Sequence, residues 1–162
     1  LNLFAYTGSF SVYAATGGAI SSETVDLSNT YLNWAKRNFE LNKIDENKHT
    51  IVRQDVFQYL QDAFFEQKQF DVIVMDPPSF SNSKKMLEIL DVQRDQHRLI
   101  DGAMGLLSPT GTLFFSNNLR SFELDEAVSE RYAVKDISKQ SVPDDFRNKK
   151  IHQCWRITHK SA

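Results

Sequence analysis

The chain has 162 residues, 41% of them hydrophobic and 12% aromatic, a size that allows one domain built on a sheet covered on both faces. Nineteen Lys and Arg against 21 Asp and Glu give a net charge of −2, which argues against a self-sufficient nucleic-acid binder with a broad basic surface. No apolar run approaches the roughly 18 residues of a membrane span, and a single cysteine, Cys154, excludes an internal disulfide and fits a reducing cytoplasm.

In chain order, strand and helix patterns alternate, the signature of a parallel sheet with crossover helices. Leu1 to Phe4 reads as a buried strand, followed by a turn through Ala5-Tyr6-Thr7-Gly8 and a helix from Ser9 to Ala15 that Gly17-Gly18 stop. The second strand is Glu23 to Asp26, and Ser28 caps a helix reaching Asn42 with Leu32, Ala35 and Phe39 on its apolar face. The third strand is His49 to Arg53, after which Asp55 opens a helix containing Val56, Tyr59, Leu60 and Phe64. Phe70 to Met75 forms the fourth strand, and a helix spans Val92 to Leu107. Ser108-Pro109-Thr110-Gly111 is a turn before a fifth strand, Gly111 to Ser116. A short helix over Glu123 to Glu130 precedes strands at Ala133 to Lys139 and His152 to Ile157, joined by a long polar loop, Ser141 to Lys149. Because a core strand occupies the first residues, we expect a single domain, 1–162, cut from a longer protein.

Four strand exits carry residues with chemical potential. Asp76-Pro77-Pro78-Ser79-Phe80 leaves the fourth strand, where two prolines cannot extend the ladder. Such a backbone can aim the Asp76 carboxylate, nearby carbonyls and the Phe80 ring at one flat heterocycle; alternatively, the prolines merely end the strand and Phe80 fills the core. The Asn2-to-Phe10 turn offers backbone N–H groups and a helix N-terminus to an anion. It has only Gly8 where a dinucleotide fingerprint needs three glycines, and no P-loop sequence occurs. Asp26 either caps a helix or accepts from both hydroxyls of a ribose, and Asp55 has the same two readings. Together, Gly8, Asp26, Asp55 and Asp76 sit on one rim of the sheet, which points to an adenosine-bearing cofactor with its reacting end near Asp76.

These motifs resemble those of class I S-adenosylmethionine-dependent methyltransferases. The turn takes the place of the glycine-rich motif, Asp26 that of the ribose ligand, Asp55 that of the residue near adenine, and Asp76 to Phe80 that of the Asp/Asn-Pro-Pro-aromatic motif of nitrogen methylation. Longer stretches are similar to one subfamily: Leu3 to Ser9, Thr24 to Ser28, Asp76 to Lys84, Asp91 to Asp95, Phe115 to Asn118 and Lys150 to Trp155. That subfamily is the carboxyl-terminal, 7-methylguanosine-forming half of the bacterial bifunctional 23S ribosomal RNA guanine methyltransferase K/L.

The resemblance implies a Rossmann-like α/β fold, a mostly parallel seven-stranded sheet with helices on both faces and an antiparallel strand near the C-terminus. It also implies methyl transfer from S-adenosylmethionine to guanine N7 in 23S ribosomal RNA, S-adenosylhomocysteine as product, and upstream domains in the same polypeptide. Asp76, Pro77, Pro78 and Phe80 would form the catalytic group. Asn2, Phe4, Tyr6, Thr7, Gly8, Ser9, Phe10, Asp26, Leu27, Ser28, Asp55, Val56 and Asp76 would hold the cofactor. The motif itself leaves open an exocyclic amine (guanine N2 or adenine N6) as acceptor. A nicotinamide-dependent oxidoreductase, or a non-catalytic RNA-binding or scaffolding role, are the readings from other classes.

Cytosine C5 methylation needs a cysteine nucleophile. Related enzymes place one just after the fifth strand, where this chain has Asn117-Asn118, and Cys154 reads as core. The histidines (49, 97, 152, 159) are scattered, so no metal site is expected. Lys84-Lys85 and Arg147, Lys149, Lys150 and His152 are candidate RNA contacts or simply solvated surface.

Overall fold

The computed structural model describes residues 1–81, 89–146, 148 and 151–160. The basic candidates Lys84, Lys85, Arg147, Lys149 and Lys150 lie outside the described residues.

Alternation of strand and helix produces β1 (Asn2–Leu3), α1 (Ser9–Thr16), β2 (Ser22–Asp26), α2 (Asn29–Leu41), β3 (His49–Arg53), α3 (Val56–Phe65) and β4 (Phe70–Met75). These are followed by β5 (Phe80–Ser81), β6 (Leu90–Asp91), α4 (Val92–Gly105), β7 (Leu107–Asn117), α5 (Glu126–Arg131), β8 (Ala133–Asp136), α6 (Ser138–Ser141) and β9 (Gln153–Thr158). Seven strands form one sheet in the order β3-β2-β1-β4-β7-β9-β8. β1, β2, β3, β4 and β7 run parallel, while β9 pairs antiparallel with both β7 and β8. This is the expected Rossmann-like arrangement, with the antiparallel strand where it was placed.

From β1 the sheet grows outward through β2 to β3, then returns across β1 to β4. Right-handed crossovers therefore put α1 and α2 on one face and α3 and α4 on the other. Contacts follow that division, α1 against α2 and α3 against α4. The reversal of direction lies between β1 and β4, and the carboxyl ends there diverge into a crevice.

The sheet is nailed down by Leu3, Val25, Ile73, Met75, Leu113, Phe115 and Ile157, all fully buried. Phe115, Phe122 and Trp155 form an aromatic cluster with ring centroids 5.3 to 6.1 Å apart. Cys154 is buried in β9, as the sequence reading placed it.

Two local expectations are corrected and one pairing was not foreseen. β7 is continuous from Leu107 to Asn117, so the Ser108-Pro109-Thr110-Gly111 turn is absorbed as an irregularity: Phe70 pairs with Leu107, but Val72 already pairs with Thr112. Residues 138–141 turn into α6 rather than extending β8. Phe80–Ser81 pairs antiparallel with Leu90–Asp91, a two-residue ribbon with no hydrophobic period to announce it.

Candidate active site

A cavity of about 780 Å³ opens at the carboxyl ends of the strands around that crevice. Its wall runs from Leu27, Ser28, Tyr31, Asp55 and Val56 past Phe4, Tyr6 and Asp26 to Asp76, Pro77 and Pro78. Among the described residues Ser81, Asn118 and His152 also line it.

The first turn is wound tightly enough that Phe4, Tyr6 and Gly8 have positive φ, 55°, 52° and 72°. Gly8 begins α1 without a side-chain cap, and no acidic residue occupies the first helical turn. The turn is fastened to the second strand exit because the Tyr6 N–H donates to Asp26 Oδ2 at 3.0 Å. Asp26 Oδ1 accepts from the Ser28 N–H at 2.8 Å. Both carboxylate oxygens therefore organise backbone, yet each oxygen has a second lone pair and the residue lines the cavity. Tyr31 packs edge-on against Tyr6, ring centroids 4.5 Å apart, above the same opening.

Asp55 does cap α3, its Oδ1 accepting from the Phe57 and Gln58 N–H groups at 2.9 and 3.3 Å. It also lines the cavity beside the buried Val56, so the cap and wall roles coexist. Ser28 caps α2, accepting from the Tyr31 N–H.

Asp76 faces the cavity on one side and protein on the other. Desolvation by that protein pushes its carboxyl above the usual carboxylate range. A hydrogen bond from Ser116 Oγ to Asp76 Oδ1 at 2.8 Å, then the charge of His152, pull it partly back. Ser79 Oγ donates to Asn118 Oδ1, also at 2.8 Å, so the end of β7 grips the motif on both sides of Pro77-Pro78. Farther on, Asp91 caps α4 and Asp95 receives Arg94 through Nε and Nη2 at 2.8 and 2.7 Å, bracing the β5–β6 ribbon.

Six of the sequence candidates do not line the cavity. Asn2 is buried beneath α1, where its amide donates to Ser11 Oγ. The Thr7 carbonyl accepts from Asn38 Nδ2, and Gly8, Ser9 and Phe10 form the helix start behind the lining turn. Phe80 is 59% exposed on β5. Conversely, Tyr31, Ser81, Asn118 and, as a cavity residue, His152 were missed; each lies outside the acidic and glycine positions that drew attention.

A cysteine nucleophile is not offered here. Cys154 does not line the cavity, and burial, reinforced by the charge of Asp76 and Asp136, pushes its thiol up to about 11. Three histidines have structural partners instead: His49 with Ser22, His97 with Asp125 and His159 with the Leu107 carbonyl. Among the described residues no group of three or more potential metal ligands occurs, and no helix is long and apolar enough to cross a membrane.

Comparison with known proteins places this geometry. The model of the S-adenosylmethionine-dependent methyltransferase family matches residues 1–151, and the chain belongs to that family. Ribosomal RNA large subunit methyltransferase K of Neisseria meningitidis serogroup B is 76% identical over 161 residues, 99% of this chain and 46% of the relative. Ribosomal RNA large subunit methyltransferase K/L of Chromohalobacter salexigens is 56% identical over 161 residues, 99% of this chain and 22% of the relative. The chain thus spans less than half the length of either. A crystal structure of a methyltransferase complexed with SAH (S-adenosylhomocysteine) superposes with a TM-score of 0.83 at 30% identity, over 96% of this chain and 43% of that one.

The cavity suits the family's cofactor by its acceptors and its apolar walls. Asp26 offers spare carboxylate lone pairs for a ribose diol, and Leu27 and Val56 offer an apolar slot between strand exits two and three.

Proposed function

We propose that this chain is the methyl-transferring domain, residues 1–162, of a ribosomal RNA methyltransferase acting on guanine N7 in 23S RNA in the bacterial cytoplasm. Upstream segments of the same polypeptide would add RNA contacts. The observation that carries the reading is one continuous cavity with Asp26, Leu27, Ser28, Asp55 and Val56 at one end and Asp76-Pro77-Pro78 at the other. The printed names of the relatives, which specify large-subunit ribosomal RNA, supply the substrate class.

S-adenosylmethionine supplies an electrophilic methyl group on a positively charged sulfur. Asp26 would hold its ribose, with Asp55 and Val56 beside the base. Asn2, Thr7, Gly8, Ser9 and Phe10 support the turn that Phe4 and Tyr6 present to the cavity.

Guanine N7 has a lone pair and no proton, so its attack needs no general base. The chain's contribution is alignment, which is worth up to roughly 7–11 kcal/mol in well-oriented reactions. Asp76 would accept from the base's N1–H or amino group and favour the positive charge that grows on the ring. Pro77 and Pro78 keep that carboxylate from following the base, and Phe80 offers an exposed ring on which it can stack. A paired guanine would have to be turned out of its helix first.

The test uses the full-length polypeptide, labelled S-adenosylmethionine and large-subunit RNA lacking the modification. Nucleoside mass spectrometry should show 7-methylguanosine. Recovery of N2-methylguanosine or N6-methyladenosine would move the acceptor to an exocyclic amine. RNA retention without methyl transfer would leave a scaffolding role.

A further inference from the structure

We infer that Asn118 is the specificity-determining residue for the acceptor base, donating from its Nδ2 to the purine's C6 oxygen while Asp76 accepts from the neighbouring ring N–H. This rests on the guanine reading and adds the residue that enforces it.

Ser116 and Asn118 are two positions apart, the spacing that repeats along one side of an extended chain. Ser116 Oγ donates to Asp76 Oδ1, and Asn118 Oδ1 accepts from Ser79 Oγ, each at 2.8 Å. The two bonds straddle Pro77-Pro78 and have a consequence for polarity as well as position. A free asparagine can present either a donor or an acceptor to a ligand. With its oxygen turned to Ser79, Asn118 has its amide N–H groups free to face a ligand; its Nδ2 makes no hydrogen bond among the described residues, and the residue is exposed in the cavity wall. Asp76, when ionised, only accepts, and with Oδ1 held by Ser116 its Oδ2 remains for a ligand.

The wall therefore presents an acceptor and a donor in a fixed order around the two prolines. Guanine carries the complementary pair at adjacent ring positions, a donor at N1 and an acceptor on C6, and O6 lies on the same edge as N7. Adenine reverses it, with an acceptor at N1 and an amino donor at C6, so the same pose would oppose two donors and set a lone pair against a carboxylate. Polar groups that a bound base covers and leaves unpaired are the basis of strong discrimination between substrates.

The test compares RNA acceptors carrying guanosine or 6-thioguanosine at the target site, using the full-length polypeptide. Sulfur keeps N1–H, N7 and the amino group but is a poorer acceptor at C6. Wild-type kcat/KM should fall about tenfold with the sulfur acceptor, the scale of one lost hydrogen bond. Asn118→Ala should lower guanosine turnover by about 10- to 100-fold and remove the sulfur penalty. Asn118→Asp keeps an acceptor for Ser79 but replaces the donor, and should cost more than Asn118→Ala. S-adenosylhomocysteine affinity should stay within about twofold in both, since one hydrogen bond to the base is all that changes. Ser79→Ala, which removes only the fastening, should slow both acceptors equally and retain the penalty. A tenfold sulfur penalty persisting in Asn118→Ala, with 7-methylguanosine still the product, would overturn this inference alone. Absence of 7-methylguanosine from the wild-type reaction would overturn the guanine reading, and this inference with it.

Discussion

Gly8→Ala should damage the fold and the cofactor end of the cavity together, through two separable causes. Gly8 has φ +72°, which an alanine adopts at a cost of about 1–2 kcal/mol. A Cβ there would lie 2.9 Å from Ala35 Cβ, 3.5 Å from Ala35 Cα and 3.6 Å from Thr24 Cγ2. Ala35 is fully buried on α2, so relief requires α1 and α2 to separate, an overpacking cost of about 1–3 kcal/mol. The single variant should thus lose about 2–5 kcal/mol, a large share of the roughly 5–15 kcal/mol typical of a domain. Ala35→Gly alone should cost about 0.5–1 kcal/mol through helix propensity. Because it removes the obstructing methyl, the double variant should be more stable than the sum of the singles predicts, by about 1–3 kcal/mol. Urea unfolding followed by circular dichroism measures all four proteins. Additive effects would refute the contact, and a Gly8→Ala loss below about 1 kcal/mol would refute the contact and the strain together.

Asp76→Asn should lower turnover yet raise the melting temperature near neutral pH. The Asp76 carboxyl is raised in the fold, so the ionised form is destabilising above the unfolded carboxylate range, and the gain should vanish as pH falls below it. Ser116→Ala removes a hydrogen bond that lowers the Asp76 pKa, so the acid limb of the kcat/KM profile should move to higher pH; an unmoved limb would deny that Asp76 titrates in catalysis. Phe80→Ala should weaken turnover far more than S-adenosylhomocysteine binding, measured by kinetics and calorimetry; equal losses would remove the stacking role. With its thiol pushed up to about 11 and buried, Cys154 should resist alkylation by iodoacetamide at pH 8 in the folded protein, and Cys154→Ala should keep methyl transfer.

The sheet was legible because its strands announce themselves locally. Phe70 to Met75 is apolar and β-branched, Gly17 and Gly18 end α1, and Ser28 and Asp55 cap the helices that follow β2 and β3. The corrections fall where no local signal exists. Phe80–Ser81 and Leu90–Asp91 are too short to show a period, and Pro109 inside β7 imitates a turn although the strand accommodates it by a register shift. On the site, carboxylates at strand exits were visible because exits carry a positional rule. Tyr31 and Asn118 were not: one joins the cavity by packing on Tyr6, the other through Ser79, and both contacts span residues distant in sequence. Phe80, expected to face the same heterocycle as Asp76, is held by the ribbon with Leu90–Asp91 exposed beside the cavity lining.

The most direct test of the account is calorimetric titration of the full-length protein with S-adenosylhomocysteine, wild type beside Asp26→Ala. Asp26 would lose its hydrogen bonds to the ribose and its hold on the Tyr6 and Ser28 N–H groups. The account predicts saturable one-to-one binding weakened at least about tenfold by the substitution, the worth of roughly one charged hydrogen bond. Undiminished binding by a folded Asp26→Ala protein, or no binding by the wild type, would contradict the placement of the cofactor along this rim.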